Sequence, residues 1–171
     1  MARVSATDEV AVLFSSRAFD ERIRAVMPDL LSYFLRRVDP AADAADCLSE
    51  TLIVLWRRKA DMPSDEDGGR AWAYGVARKV LSNQRRGRLR QSRLSELLKD
   101  ELAAFAPPSS ALAVSVREAL AMLAEKDREL LTLVVWDGFG IAEAGAIIGV
   151  KPAAARARYA RARARMRALL E

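Results

Sequence analysis

From Phe19 onward, apolar residues recur at helical spacing: Ile23, Val26, Leu30, Leu31, Phe34, Leu35 and Val38. Steps of three and four residues put them on one side of a helix. Pro28 falls inside this run, which predicts two short helices or one bent one. Asp39-Pro40 ends the element, and residues 1–17, with weak periodicity, read as a loose arm or a frayed first helix. A second stripe of Ala45, Leu48, Leu52, Leu55 and Trp56 predicts a helix from about Ala41 to Lys59. Asp61 to Gly69 (DMPSDEDGG) carries the Pro, Ser, Asp and paired Gly of a loop. A helix starting near Arg70 turns Trp72, Val76, Ala77, Val80 and Leu81 inward. Leu94 to Ala106 has the spacing of another helix, with Ser95 placed to cap it.

Pro107-Pro108-Ser109-Ser110 then breaks the pattern and is the best domain boundary in the chain. Beyond it, Leu112, Val116, Ala119, Leu120 and Leu123 repeat at helical spacing. Lys126 to Trp136 carries Leu130, Leu131, Val134 and Val135, and Asp137-Gly138 is a turn. Ile141 to Ile148 forms a short helix, a turn follows at Gly149-Val150, and Pro152 opens a long one at the position where proline is favoured. A short helix, a tight turn and a long helix make a helix-turn-helix. No segment reads as a strand. The expected fold is all-α: two small helical domains, residues 1–93 and 112–171, joined by a flexible linker over 94–111, with the helix-turn-helix in the second.

Composition agrees with helices, since Ala, Leu and Arg dominate the 171 residues and are strong helix formers. The chain has one cysteine, Cys47, and no histidine. That excludes an internal disulfide and a Cys/His zinc site, and no cofactor is expected. Cys47 is most simply a small buried hydrophobe. The start, MARVSATDEV, has no hydrophobic signal region, and no apolar run approaches a membrane span, so the expected location is cytoplasmic.

The net charge of +5 is unevenly spread: −4 over residues 1–69, +8 over 70–93, −5 over 94–150 and +6 over 151–171. Two separate basic blocks predict two contacts with nucleic acid. In the first, Trp72 and Tyr74 precede Arg78, Lys79, Arg85 and Arg86. Aromatics beside a basic groove can stack on unpaired bases, while Trp72 fits a core position equally well. In the second, Arg156, Arg158, Arg161, Arg163, Arg165 and Arg167 lie on one helix with no acid before Glu171.

Stepping about 100° per residue from Arg156 gathers Ala155, Tyr159, Ala162, Met166, Leu169 and Leu170 on one face, the side for a core. Arg163 and Arg167 fall beside Arg156; Arg158, Arg161 and Arg165 form a second row. Between the rows lie only Ala153, Ala157, Ala160, Ala164 and Ala168. A smooth strip between two arginine rows can sink into a major groove while the guanidinium groups reach phosphates or guanine edges. The same strip could instead pack on another helix.

These motifs resemble bacterial RNA polymerase sigma factors of the small extracytoplasmic-function (ECF) group, which keep regions 2 and 4. DAADCLSETLIVLWRR (Asp43 to Arg58) resembles the region 2 signature through Asp46, Glu50, Thr51, Leu55, Trp56 and Arg57. AWAYGVARKVLSNQRRGRLR (Ala71 to Arg90) resembles the helix that handles the −10 element, and the stretch from Leu123 to Arg167 resembles region 4. The resemblance implies that Asp46, Ser49, Glu50 and Ile53 dock on the clamp of the polymerase largest subunit, with a further contact to the flap. It implies that the loop Asp61 to Gly69, with Trp72, Tyr74, Arg78, Lys79, Arg85 and Arg86, handles single-stranded −10 DNA. It assigns duplex −35 DNA to Ala153, Ala154, Arg156, Ala157, Arg158, Arg161 and Arg165, and it implies an anti-sigma partner. Ala153 and Ala154 replace a usual Gly-Thr, which leaves the arginines to do more.

Without the resemblance, a conventional helix-turn-helix regulator that binds duplex DNA alone remains the alternative. The acidic Asp43–Arg58 helix followed by an aromatic-basic helix would be unnecessary there. An enzyme is disfavoured: with no histidine and no Gly-rich phosphate loop there is no catalytic constellation.

Overall fold

The structure is a computed structural model that describes residues 6–96 and 111–171, with side chains described over 17–88 and 116–171. It is helical, with no strand among the described residues. The chain divides into two compact units, Met1–Leu81 and Ser82–Glu171.

The first unit contains α1 (Ala6–Leu35), α2 (Ala42–Arg57), a single 3₁₀ turn at Lys59–Asp61 and the first half of α3 (Glu66–Glu96). The helix α1 runs through Pro28 as one element. Pro28 is exposed, and Val26, Leu30, Tyr33 and Phe34 on either side of it are buried. Burial of that face offsets the backbone hydrogen bond that proline removes. The element also begins earlier than its periodicity suggests, since residues 6–17 are helical.

The buried side of α2 is Ala44, Cys47, Thr51 and Leu55, which corrects the predicted stripe. Ala45 is exposed, Leu48 and Leu52 are half-buried, and Trp56 is 60% exposed. The small residues win the inward side because α2 packs on α1, and Ala, Cys and Thr let the backbones approach. Thr51 satisfies its hydroxyl within the helix by donating to the Cys47 carbonyl at 2.7 Å, so its burial leaves no polar group unpaired.

Helix α3 starts at Glu66 and not near Arg70, so Gly68 and Gly69 form part of its first turn. The Asp65 carboxylate accepts the Gly68 N–H at 2.6 Å and the Asp65 carbonyl accepts the Gly69 N–H at 3.0 Å. The first bond caps an otherwise orphan N–H at the helix N-terminus, and the second is the first regular bond of the helix. Ala73, Tyr74, Val76, Ala77, Val80 and Leu81 bury the inner face of α3. At its far end the helix runs unbroken to Glu96. Ser95, expected at the start of a separate helix, therefore lies inside α3. The rest of the expected Leu94–Ala106 helix and the Pro107-Pro108-Ser109-Ser110 break lie outside the described residues.

The second unit contains α4 (Ala111–Ala121), α5 (Glu125–Val135), α6 (Ile141–Ile147) and α7 (Pro152–Leu170). Helix α7 packs on α4, α5 and α6. Leu120, Leu123, Leu131 and Ala162 form a buried cluster flanked by Val116, Tyr159 and Met166. The α6–α7 turn depends on Gly149, with φ of +71°, a left-handed conformation that glycine adopts without strain. The helices approach closely where they cross: a Cβ on Gly145 would stand 2.6 Å from the Ala155 Cβ. A glycine and a fully buried alanine thus set the angle at which α7 leaves the turn.

Candidate nucleic-acid interface

The helix α7 begins at Pro152, and its core side is the predicted one. Ala155 and Ala162 are buried, and Tyr159, Met166 and Leu169 are half-buried; Leu170, assigned to that face, is 44% exposed. The opposite side is open. Ala153, Ala157, Ala160, Ala164 and Ala168 are all exposed, as are Ala154, Arg156, Arg161, Arg163, Arg165 and Arg167. The alanine strip between two arginine rows is therefore a real surface of the second unit and does not pack on α4, α5 or α6. Arg158 differs from its row. It is half-buried, and its Nη1 donates to Asp127 Oδ1 at 2.7 Å. That ion pair ties α7 to the first turn of α5 and fixes one guanidinium at the edge of the strip. Asp127 was not among the expected functional residues, because a pair 31 residues apart leaves no mark in local periodicity.

At the entry to the motif, the Gly140 N–H donates to Glu143 Oε2 at 2.8 Å. This satisfies an orphan donor at the start of α6 and places an acid where the helix dipole favours it.

In the first unit, the side of α2 opposite its core carries Asp46, Ser49, Glu50 and Ile53, all exposed. Their spacing of three and four residues places them on one face. Trp56 continues this face, with the Lys59 ammonium 5.6 Å from its ring centroid. Exposed Ile53 and Trp56 put apolar surface beside the acids, a combination that suits a protein partner. Burial raises the Cys47 thiol pKa from its ordinary 9.0, helped by the charges of Glu50 and Asp46, so Cys47 stays neutral and packs as a hydrophobe.

On α3 the expected −10 residues part company. Tyr74 is 1% exposed. Its ring meets Tyr33 edge-on, with centroids 5.3 Å apart, and the Arg70 guanidinium lies 5.2 Å from its centroid. It is a core residue of the first unit and offers no face to a base, which corrects its placement among the DNA-facing residues. Trp72 is half-buried and Lys79 exposed, seven residues apart on the same side of α3. Between them, an added Cβ at Gly75 meets nothing within 4 Å, so the surface beside Trp72 is open. Arg78 is half-buried at the edge of this side. In the second unit, Arg86 is exposed and donates to Asn83 Oδ1 at 2.6 Å, and Arg85 lies 3.4 Å from Glu125.

The two halves match separate family models: Sigma-70 region 2 over residues 22–91 and Sigma-70, region 4 over residues 113–166. The ECF RNA polymerase sigma factor SigF of Caulobacter vibrioides (strain NA1000 / CB15N) is 34% identical over 147 residues, covering 85% of this chain and 81% of SigF. The chain belongs to the ECF sigma factors. It is an alternative sigma factor that directs transcription initiation by RNA polymerase. ECF sigma factor SigL of Mycobacterium tuberculosis (strain ATCC 35801 / TMC 107 / Erdman) is 24% identical over 162 residues, 92% of this chain and 89% of SigL. Among solved structures, the sigma factor RpoE in complex with the anti-sigma factor NepR from Bartonella quintana aligns with a TM-score of 0.70 at 27% identity. That alignment covers 90% of this chain and 97% of RpoE. CnrH, in its complex with the cytosolic domain of CnrY, shares the fold with a TM-score of 0.63 at 24% identity, over 91% and 88% of the two chains. Among the described residues, no helix is long and apolar enough to cross a membrane.

Proposed function

We propose that this sigma factor works as a two-site promoter clamp, with residues 1–93 and 112–171 as its two arms and 94–111 as the connection. The exposed face of α2, Asp46, Ser49, Glu50 and Ile53, docks on the clamp of the polymerase largest subunit, and the second arm meets the flap. The open side of α3, with Trp72, Arg78, Lys79, Arg85 and Arg86, takes single-stranded −10 DNA, with Trp72 as the stacking platform. Helix α7 enters the −35 major groove. Ala153, Ala154 and Ala157 permit close approach, Arg156, Arg161 and Arg165 reach phosphates or guanine edges, and Arg158 is held in place by Asp127. The factor acts by binding and positioning DNA, not by catalysis, in the cytoplasm. An anti-sigma protein binds it, as the anti-sigma factor NepR binds RpoE, and holds it inactive.

The observation that carries this reading is the exposed alanine strip of α7 between its arginine rows. A solvated helix would more often interleave Glu with Lys for i,i+4 pairs, and arginines without acids repel one another unless an anion neutralises them. Transcription in vitro from a promoter library, with core polymerase alone and with this protein added, tests it. The expected result is a set of transcripts that appears only with the protein and shares a −10 and a −35 element. Transcripts that share a −10 element and nothing upstream would remove the −35 role from α7.

A further inference from the structure

The segment that leads into α3 is held from outside by one side chain. Arg22, on α1, donates from Nη1 to the Pro63 carbonyl at 2.8 Å and from Nη2 to the Asp65 carbonyl at 2.5 Å. Its guanidinium bridges two carbonyls of the segment between the 3₁₀ turn and α3. The space it uses exists because residue 69 is glycine: Gly69 is buried, and a Cβ there would collide with Arg22 Nη2, with the Met62 Cε also only 3.2 Å away. Asp65 closes the arrangement from the other side, its carboxylate accepting the Gly68 N–H at 2.6 Å. A little farther along the same two helices, Arg70 lies 3.6 Å from Asp29. One guanidinium thus fixes the loop at two points directly before the helix that carries Trp72.

We propose that Arg22 is a positioning residue for −10 recognition: it sets the Met62–Asp65 backbone in one conformation at the start of the helix that carries Trp72, and Gly69 is glycine to admit it. This rests on the reading of α3 as the −10 surface. A planar fork with paired donors suits two carbonyls at once. A lysine keeps the charge and the aliphatic stem but presents a single ammonium. A loop held in advance loses less conformational freedom when it closes on a base, which raises affinity without any new contact to DNA. Arg22 need not touch the strand for this effect.

The test uses the full chain assembled with core polymerase. A single-stranded DNA pool with a randomised central segment is enriched on the wild-type holoenzyme, and the enriched DNA becomes the probe. Arg22→Lys and Arg22→Ala are expected to bind core polymerase as wild type does and to bind the probe about tenfold more weakly, the fold-change for losing a charge-assisted hydrogen bond. Gly69→Ala is expected to weaken probe binding in the wild-type background and to add little in the Arg22→Ala background, because the guanidinium it collides with is gone. Wild-type probe affinity in Arg22→Lys, or full additivity of Gly69→Ala with Arg22→Ala, overturns the proposal. A purely structural role predicts that core binding and probe binding fall together, and that result overturns it too. If the wild-type holoenzyme enriches no sequence, the reading of α3 itself has failed, which is a different outcome.

Discussion

Single residues decide what each surface can do, and Arg161 is the clearest case. It is exposed in the second arginine row of α7, whereas its neighbour Arg158 is committed to Asp127 at 2.7 Å. Arg161→Ala is therefore expected to remove a free phosphate contact without loosening the α5–α7 packing. The log–log salt slope of duplex binding should flatten by about one, with an unchanged thermal midpoint. An unchanged slope would take Arg161 off the groove surface. Cys47 makes a prediction of another kind. Its folded-state pKa lies above the unfolded one, so the neutral thiol favours the folded state below the ordinary value of 9.0. That contribution is lost as the pH rises through the range above it. Urea unfolding at steps between about pH 8 and 10.5 should show a fall in stability that is shallower in Cys47→Ala. Equal slopes in the two proteins would mean that the thiol does not titrate differently on folding.

At the scale of elements, pattern alone carried the reading far. The number and order of helices after the Pro/Ser break follow from periodicity, and Pro152 and Gly149 mark the turn of the motif because each fits one backbone conformation there. The wheel placed Ala155 and Ala162 inward and the alanine strip outward. Three features escape the pattern for physical reasons. Gly68-Gly69 looks like a helix breaker, but Asp65 caps it locally and Arg22 fills the space above Gly69. The inward face of α2 is made of Ala44, Cys47 and Thr51, small residues with little hydrophobic signal, while Trp56 advertises a core position it does not occupy. Tyr74 sits beside a basic run, yet Tyr33, 41 positions earlier, claims its ring. Long-range partners of this kind leave no trace in a local window. The distinction between Trp72 and Tyr74 is measurable. Tyr74→Ala should cost about 3–5 kcal/mol of stability, as for other large buried rings. Trp72→Ala should cost less stability and weaken single-stranded DNA binding by about 1–3 kcal/mol. The reverse assignment of the two effects would contradict the placement of α3.

For the whole molecule, the central claim is that clamp docking and −35 reading are separate surfaces in separate units. The acidic face of α2 belongs to the first unit and the arginine rows of α7 to the second, so each can fail without the other. The measurement that tests this most directly compares Glu50→Arg with Arg161→Ala in two assays run side by side: affinity for core polymerase, and binding of the free factor to duplex DNA carrying its own −35 element. Reversing an exposed interface charge should weaken core binding on the order of tenfold or more and leave duplex binding as in wild type. Arg161→Ala should do the opposite. If both substitutions lower both affinities in parallel, the two-surface account is wrong.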